Sequence, residues 1–205
     1  MGYTNISHKE KDKELFANQS VKWIHQRFFF NSGKILDVGC GKGLFLVGFK
    51  KIGYDAYGID ADNKEVKILK RRGLSVFKCN METDKLPFKN NFFDYIFVRY
   101  VTPFVKNTEN FMKEIKRVLR REGLFFMIEL DYSRNYKNYS NGPYKIKKKF
   151  NFESLKNILR SYNFEIIKSR RFQNIPCIWR YTIKAFDFIF PNSKSVLIIA
   201  KKKNS

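Results

Sequence analysis

The sequence of 205 residues has few cysteines, a shortage of acidic residues and no long apolar run. Its three cysteines, Cys40, Cys79 and Cys177, are odd in number and widely spaced, which predicts neither a disulfide framework nor a metal site. No apolar run approaches the roughly 20 residues that a membrane-spanning helix needs. The first residues lack the apolar core of a secretion signal, so we expect a reducing, cytoplasmic location.

The shortage of acids leaves the chain strongly basic. Lysine and arginine number 41 against 19 aspartates and glutamates, for a net charge of +22. Residues 131–205 hold 17 of these basic residues and only 4 of the acidic ones. A field of this size favours nucleic acid, an anionic membrane surface or acidic substrates as partners. Coding bias toward lysine accounts for the same composition, so both interpretations stay open.

The hydrophobic pattern predicts short apolar strands that alternate with amphipathic helices. A first helix is predicted over residues 8–30, before Gly33. Strands are then predicted at residues 34–38, 56–59, 74–77, 93–98 and 124–130, and helices at residues 44–52, 63–72 and 109–119. Such an alternation indicates an α/β fold in which helices cover both faces of a mostly parallel sheet.

The pattern changes after residue 130. Residues 131–150 form a polar connection with four tyrosines and six basic residues, and excursions of this length are usually functional or disordered. A helix is predicted at residues 153–161, strands at 164–168 and 195–201, and a further helix within 175–190. The last two strands predict an antiparallel hairpin at the edge of the sheet.

A glycine-rich turn joins the first strand to the next helix. Residues 35–43 read Ile-Leu-Asp-Val-Gly-Cys-Gly-Lys-Gly, a geometry that lets a ligand approach backbone amides at a helix N-terminus. The dinucleotide spacing Gly-x-Gly-x-x-Gly fails, because its last position falls on Leu44 or Leu46, and this disfavours a nicotinamide oxidoreductase. Asp37 would repel a pyrophosphate and attract an ammonium group. A nucleoside that carries an amino-acid end is therefore the favoured ligand.

Four segments, in order, carry a family resemblance. They are the glycine turn, Tyr57-Gly58-Ile59-Asp60, Leu86-Pro87-Phe88 with Phe92-Phe93-Asp94, and Glu114-Ile115-Lys116-Arg117-Val118-Leu119 with Gly123. Over roughly residues 30–130 the chain resembles the class I S-adenosylmethionine-dependent methyltransferases, close to the small type 11 domain. The resemblance implies S-adenosyl-L-methionine as cofactor. It also implies a three-layer αβα Rossmann-like sandwich with strand order 3-2-1-4-5-7-6 and an antiparallel last strand.

The resemblance also implies the roles of the residues around the glycine turn. Gly39, Gly41 and Gly43 would form the turn under the cofactor. Asp37 would hold the methionine amine, directly or through water. Asp60 would accept both ribose hydroxyls, because it follows the turn by about 20 residues at the end of the second strand. Asp62 is the second candidate for the ribose contact, although it lies past the end of the strand. Asp94 is interpreted as a turn-capping residue before a strand.

The resemblance implies further cofactor contacts after the second, third and fourth strands. Ala61 would follow Asp60 in the binding site, and Asn80 and Met81 would flank the adenine. The family often has an aspartate at the position of Asn80, which predicts a weakened adenine contact. Arg99, after the fourth strand, is both a predicted cofactor contact and a candidate on the acceptor side.

The acceptor side lacks a histidine that many relatives carry after strand four. Phe104 occupies that place, which disfavours histidine-based O-methylation and leaves a nitrogen, a carboxylate or an acidic hydroxyl as easier acceptors. The two histidines, His8 and His25, fall in the first predicted helix, where packing or exposure is the favoured interpretation. The catalytic residues stay unassigned, and the candidates on the acceptor side are Arg99, Tyr100 and Tyr132.

These features predict one domain over residues 1–205, with residues 1–30 as a helical lid and 131–150 as an acceptor-side loop. The predicted function is in-line methyl transfer to an anionic small-molecule acceptor, positioned rather than activated by the protein. Two alternatives stay open: methylation of RNA, and a non-catalytic module that binds S-adenosylmethionine or RNA. Three interpretations of the tyrosines that alternate with cations in the loop stay open. They stack on bases beside bound phosphates, they cover a lipid or sugar-nucleotide acceptor, or they are simply exposed to solvent.

Overall fold

A computed structural model describes residues 3–28, 31–133, 146–171 and 195–203 of the chain, with side chains from Lys11 onward. The helices in this part are α1 (Tyr3–Phe28), α2 (Leu44–Lys51), α3 (Asn63–Arg71), α4 (Thr108–Val118) and α5 (Phe152–Ser161), with a short 3-10 helix at Thr102–Phe104. The strands are β1 (Lys34–Val38), β2 (Asp55–Asp60), β3 (Ser75–Lys78), β4 (Phe93–Arg99), β5 (Leu119–Leu130), β6 (Phe164–Arg171) and β7 (Ser195–Lys202).

The strands form one sheet of order β3-β2-β1-β4-β5-β7-β6, which confirms the predicted order. Strands β1 to β5 pair in parallel, and β7 pairs antiparallel with both β5 and β6. Val38 at the end of β1 lies opposite Ile59 of β2 and Val98 of β4. The carboxyl ends of the central strands therefore meet at one edge, where open parallel sheets bind their ligands.

Each face of the sheet carries its own hydrophobic core. Successive residues of a strand point to opposite faces, so Ile35 packs under α1, α2 and α3, whereas Leu36 packs under α4 and α5. Aromatic rings fill much of the first core: Phe45 stacks on Phe97, and their centroids lie 5.0 Å apart. The helices thus form the two outer layers of the predicted three-layer sandwich.

Helix α1 belongs to the first of these layers. Its buried side chains Phe16, Ala17, Val21 and Ile24 recur at helical spacing and pack beside α2. Gly48 of α2 permits this approach, since a Cβ there would lie 3.0 Å from the Val21 Cγ2 atom. None of the helices in the described residues is long and apolar enough to cross a membrane.

The interpretation of Asp94 as a turn-capping residue is wrong. The residue lies inside β4, where its Oδ2 atom accepts a hydrogen bond from the Lys34 backbone amide at 2.7 Å. Its Oδ1 atom pairs with the Arg120 guanidinium at 2.7 Å. Asp94 therefore ties the start of β1 to the start of β5, a role that depends on strand order.

Most predicted element boundaries lie within two residues of the observed ones, and α1 and β5 differ most, since each begins five residues before its predicted start. Strand β5 begins at Leu119 because Leu119 pairs with Phe93 of β4, ahead of a register shift after which pairing resumes at Tyr95 and Leu124. Strand β6 runs to Arg171. The predicted helix within residues 175–190 lies outside the described residues.

Candidate functional site

A cavity of about 460 Å³ opens at the carboxyl ends of β1, β2, β3 and β4. It is lined by residues that follow those strands, and by one residue from the end of the 131–150 connection. The lining consists of Gly39, Gly41, Lys42, Asp60, Ala61, Asp62, Glu65, Cys79, Asn80, Met81, Glu82, Tyr100, Val101, Phe104, Val105 and Lys147. Its volume lies in the range of roughly 300–1,000 Å³ that is usual for small-ligand and cofactor sites.

The glycine turn forms one wall of this cavity. Gly39, Gly41 and Gly43 have φ values of 68°, 50° and 73°, a left-handed conformation that glycine adopts without strain. A Cβ at Gly39 would lie 2.6 Å from Val101 Cγ2, and one at Gly43 would lie 2.8 Å from Leu69 Cδ2. A Cβ at Gly41 would meet nothing within 4 Å. Packing thus explains the outer glycines, and the middle one leaves open space beside the backbone.

Asp60 is held between the glycine turn and the start of α3. Its Oδ2 atom accepts a hydrogen bond from the Gly41 amide at 2.7 Å, and Oδ1 accepts one from the Asp62 amide at 2.8 Å. Each carboxylate oxygen keeps further acceptor capacity, so a vicinal diol is a suitable partner. Asp62, the runner-up, instead caps α3 by accepting from the Lys64 amide at 2.8 Å.

Asp37 lies beneath the turn rather than on the cavity surface. Its side chain is only 4% exposed and interacts with the backbone amide of Leu46. Burial, reinforced by repulsion from Asp60, raises the pKa of Asp37 to about 8, although nearby Arg99 acts in the opposite direction. The carboxyl is therefore mostly protonated at pH 7 in the absence of a bound cation.

Arg99 is likewise set below the cavity lining. Its guanidinium stacks over the rings of Phe45, at 5.1 Å, and Tyr100, at 4.6 Å. Burial lowers the pKa of Arg99, and its Nε atom has no hydrogen-bond partner among the described residues. Asp37, Gly43 and Arg99 are thus the three predicted cofactor residues outside the lining, whereas Gly39, Gly41, Asp60, Ala61, Asn80 and Met81 line it.

The segment after β4 is anchored to the neighbouring strands. Glu129 of β5 is fully buried, and its Oε1 atom accepts from the amides of Val101 at 3.0 Å and Thr102 at 2.8 Å. Burial raises the pKa of Glu129 to about 7. Tyr100 has a positive φ of 56°, and its hydroxyl shares a hydrogen bond of 2.9 Å with the Ser195 hydroxyl. Strained backbone of this kind concentrates at functional sites.

An ion pair that the sequence did not predict bridges two walls of the cavity. Lys147 Nζ lies 2.8 Å from both carboxylate oxygens of Glu82, and its backbone amide donates to the Pro103 carbonyl at 2.8 Å. The end of the predicted acceptor-side loop therefore reaches the cavity. Glu82 carries no sequence signal of its own, since only folding brings residues 82 and 147 together.

The remaining candidates lie apart from the cavity or at its margin. Tyr132 is not in the lining, and its amide donates to the Phe150 carbonyl at 2.9 Å. His25 shares a hydrogen bond of 2.7 Å with the Tyr54 hydroxyl, away from the lining residues, whereas Phe104 does line the cavity. In the described ranges, no group of three or more His, Cys, Asp and Glu side chains is placed to hold a metal ion.

The cavity is locally acidic within a basic protein. Its lining has four carboxylates, Asp60, Asp62, Glu65 and Glu82, against the two ammonium groups of Lys42 and Lys147. The whole chain carries +22, so the charge balance of the cavity is the reverse of that of the chain. Carboxylates in a recess stabilise bound positive charge, which favours a cationic ligand over a pyrophosphate.

Comparison with known proteins agrees with this geometry. The family described as "Methyltransferase domain" matches residues 36–127, the span from β1 to β5 that builds the cavity. This match, together with the fold, supports a class I S-adenosylmethionine-dependent methyltransferase. Its cofactor is S-adenosyl-L-methionine, whose sulfonium and ammonium groups suit the acidic lining.

Two curated relatives and one solved structure illustrate the similarity of this chain to known proteins. Uncharacterized protein MJ1123 of Methanocaldococcus jannaschii is 33% identical over 147 residues, which cover 70% of this chain and 66% of that protein. A ubiquinone biosynthesis O-methyltransferase of Bartonella bacilliformis is 29% identical over 110 residues, 52% of this chain and 44% of that protein. The chain thus spans less than two thirds of either relative's length.

The solved structure is that of a SAM-dependent methyltransferase from Archaeoglobus fulgidus. It superposes with a TM-score of 0.73 at 18% identity and covers 98% of this chain and 100% of its own. At this level of identity the likeness concerns the fold. It extends the match beyond β5 to the antiparallel end of the sheet.

Proposed function

We propose that the chain transfers the methyl group of S-adenosyl-L-methionine to an anionic acceptor. The observation that carries the use of this cofactor is the acidic cavity at the glycine turn, in which Asp60 is fixed by two backbone amides, and the net charge of +22 supports an anionic acceptor. A carboxylate held in this way is pre-organised to accept hydrogen bonds from the cofactor's ribose hydroxyls. The family assignment supports the same use of the cavity.

The other cofactor contacts follow from the positions of the lining residues. Asn80 and Met81 would flank the adenine, and the Asn80 side chain is oriented by the Glu82 amide, which donates to its Oδ1 atom at 3.1 Å. Asp37 would stabilise the methionine ammonium from beneath the turn, directly or through water. Arg99 is buried close enough to Asp37 for their charges to interact, and its free Nε suits the methionine carboxylate.

The protein's own part in the reaction is positioning. The bound sulfonium supplies an electrophilic methyl group, and in-line displacement requires the acceptor atom to be held about 3 Å from it. Tyr100, Phe104 and Val105 line the side of the cavity that follows β4, where the acceptor would lie. No histidine is present in the described lining. The proposal therefore favours acceptors that ionise easily or need no base, such as a carboxylate, an amine or an acidic hydroxyl.

Residues 1–30 and 131–150 complete the proposed arrangement. Lys147 brings the end of the 131–150 connection to the cavity, which supports an acceptor-side role for that segment. The described side chains of α1 pack on α2 and do not line the cavity, so a lid function of residues 1–30 stays a prediction. We retain the proposal of one domain over residues 1–205.

Methyl transfer is tested by incubating the protein with methyl-labelled S-adenosylmethionine and cell extract fractionated by anion exchange. We expect label in one or more strongly retained fractions, and none with the Asp60→Asn variant, in which an amide NH₂ replaces one acceptor oxygen. Label confined to unretained, cationic compounds would contradict an anionic acceptor. Cofactor binding without label in any fraction would favour a module that binds the cofactor without turnover.

A further inference from the structure

A second cavity, beside the first, is lined mainly by cations. Its volume is about 360 Å³, and it lies between the amino-terminal half of α1, the start of α2 and the end of α3. The lining residues are Lys11, Lys13, Glu14, Lys42, Gly43, Leu44, Val47 and Arg72. Four positive side chains thus face one acidic side chain, the reverse of the balance in the cofactor cavity. We name this second cavity the basic groove.

The one acid in the basic groove is already paired. Glu14 Oε1 lies 2.7 Å from Lys51 Nζ, and this hydrogen bond, together with the charges of Lys51 and Arg72, lowers the pKa of Glu14. Glu14 therefore remains ionised and compensated by Lys51, a residue outside the lining. The positive charge of Lys11, Lys13 and Arg72 remains available to a bound anion, since all three side chains are exposed.

The cations continue along α2 beyond the groove itself. Lys50 Nζ donates to the Gly73 carbonyl at 3.2 Å, which places the end of α2 beside the end of α3. Helix α2 has 8 residues, and a helix of that length measures about 12 Å. A span of this length exceeds the size of one phosphate, so it can contact more than one phosphate of a flexible strand. A single phosphate or carboxylate would occupy only part of it.

Lys42 connects the basic groove to the cofactor cavity. It lines both cavities, and the turn of Gly41 to Gly43 forms the wall between them. A strand held in the groove would pass Lys42 to reach the cofactor. Leu44 and Val47 add apolar surface to the groove, which suits the sugars and base faces of an unpaired strand.

We propose that the basic groove binds the backbone of single-stranded nucleic acid and guides a nucleotide toward the cofactor cavity. The proposal that the groove binds nucleic acid does not depend on the proposed function. The proposal that nucleic acid is the methyl acceptor rests on the proposed function. The recessed shape favours a flexible strand over a membrane, because a flat bilayer surface cannot follow a concave groove whose charges come from α1, the glycine turn and the end of α3.

The test uses a fluorescein-labelled 12-nucleotide RNA of mixed sequence, with binding followed by anisotropy between 50 and 300 mM salt. The groove variant Lys11→Ala, Lys13→Ala, Arg72→Ala removes three exposed cations and leaves Lys42 intact, because Lys42 also lines the cofactor cavity. We expect at least about tenfold weaker binding at 100 mM salt. The slope of log K against log salt should become shallower by about 2, because each phosphate that a cation neutralises contributes roughly 0.7 to it.

A charge-matched control is Lys89→Ala, Lys113→Ala, Arg160→Ala, which removes three exposed cations on and beside α4 and α5, on the opposite face of the sheet. Its RNA affinity should stay within about twofold to threefold of wild type. Equal loss in both variants would overturn the groove assignment, as would wild-type binding to phosphatidylglycerol vesicles but not to RNA. Thermal melts of all three proteins establish that each variant is folded.

Cofactor titration of the same proteins separates this inference from the proposed function. The groove variant should bind S-adenosylmethionine as wild type does, since none of its three substituted residues lines the cofactor cavity. Failure of the wild-type protein to bind the cofactor would contradict the proposed function. The comparison of RNA affinities between the variants would still test the groove. Groove-dependent RNA binding with label transferred only to small molecules would overturn nucleic acid as the acceptor.

Discussion

Asp37 shows how one side chain links burial to cofactor chemistry. Its position in β1 sets it on the α2 side of the sheet, the same side as Ile35, because strand residues alternate between faces. There the carboxyl is buried, and burial raises the pKa of Asp37 to about 8. An ammonium group bound above it would favour the ionised form and lower that pKa.

This linkage predicts proton release on cofactor binding. At pH 7 the free protein holds Asp37 mostly protonated, so binding of the cationic cofactor should release up to one proton. Calorimetric titrations in two buffers with different ionisation enthalpies measure the number released. The Asp37→Asn variant should release fewer protons and bind the cofactor more weakly. Proton release in that variant equal to wild type would show that another group titrates.

Some residues of the site could be predicted from the sequence and others could not. The positions of Asp60 and the glycine turn at the ends of adjacent strands could be predicted, whereas their cofactor roles came from the family resemblance. The Glu82–Lys147 ion pair could not, since it joins positions 65 residues apart through the path of a long connection. The role of Asp94 escaped prediction for the same reason: its partners Lys34 and Arg120 become neighbours only through the β1–β4–β5 strand order.

Among the elements, α4 is fastened to the connection between β3 and β4 by Arg117. Its guanidinium donates to the carbonyls of Leu86 at 3.0 Å and Phe88 at 2.7 Å, and also binds Glu114 at 2.6 Å. Glu114 in turn accepts from the Leu86 amide at 2.7 Å. Two of the segments that carried the family resemblance, residues 86–88 and 114–119, therefore meet directly and hold the post-β3 connection in place.

Replacement of Arg117 by lysine should lower the free energy of unfolding by about 2–3 kcal/mol, because a single ammonium cannot make these divergent hydrogen bonds. The matched control is Lys113→Ala, which removes an exposed ion pair with Glu109 within the same helix. That change should cost far less, because an ion pair between exposed side chains contributes little to stability. Urea denaturation measures both. Equal costs would contradict the fastening role of Arg117.

Element positions were largely predictable, and the exceptions have long-range causes. Apolar strands and capped helices such as α3, with Asp62 as its N-cap, carry their boundaries in local sequence. The early start of β5 at Leu119 depends instead on pairing with Phe93 of β4, across an irregular register. Periodicity in a short window cannot contain that information.

At the scale of the whole molecule, charge is segregated into two adjoining cavities. Composition predicts the net charge of +22 but not that four carboxylates gather around the cofactor cavity while four cations line the basic groove beside it. That separation arises because β1, β2 and β3 end at one edge and α1 packs across α2. The arrangement is consistent with a cationic cofactor and an anionic acceptor that approach from neighbouring sides.

Calorimetric titration of S-adenosyl-L-methionine into the wild-type chain and the Asp60→Ala and Asp55→Ala variants decides whether the acidic cavity is the cofactor site. Asp55 is the matched control, because it lies at the other end of β2 and hydrogen-bonds the Tyr57 hydroxyl on the surface. We predict wild-type affinity for Asp55→Ala and no measurable binding for Asp60→Ala. Undiminished affinity in Asp60→Ala would contradict the site, and absence of binding in wild type would contradict the function.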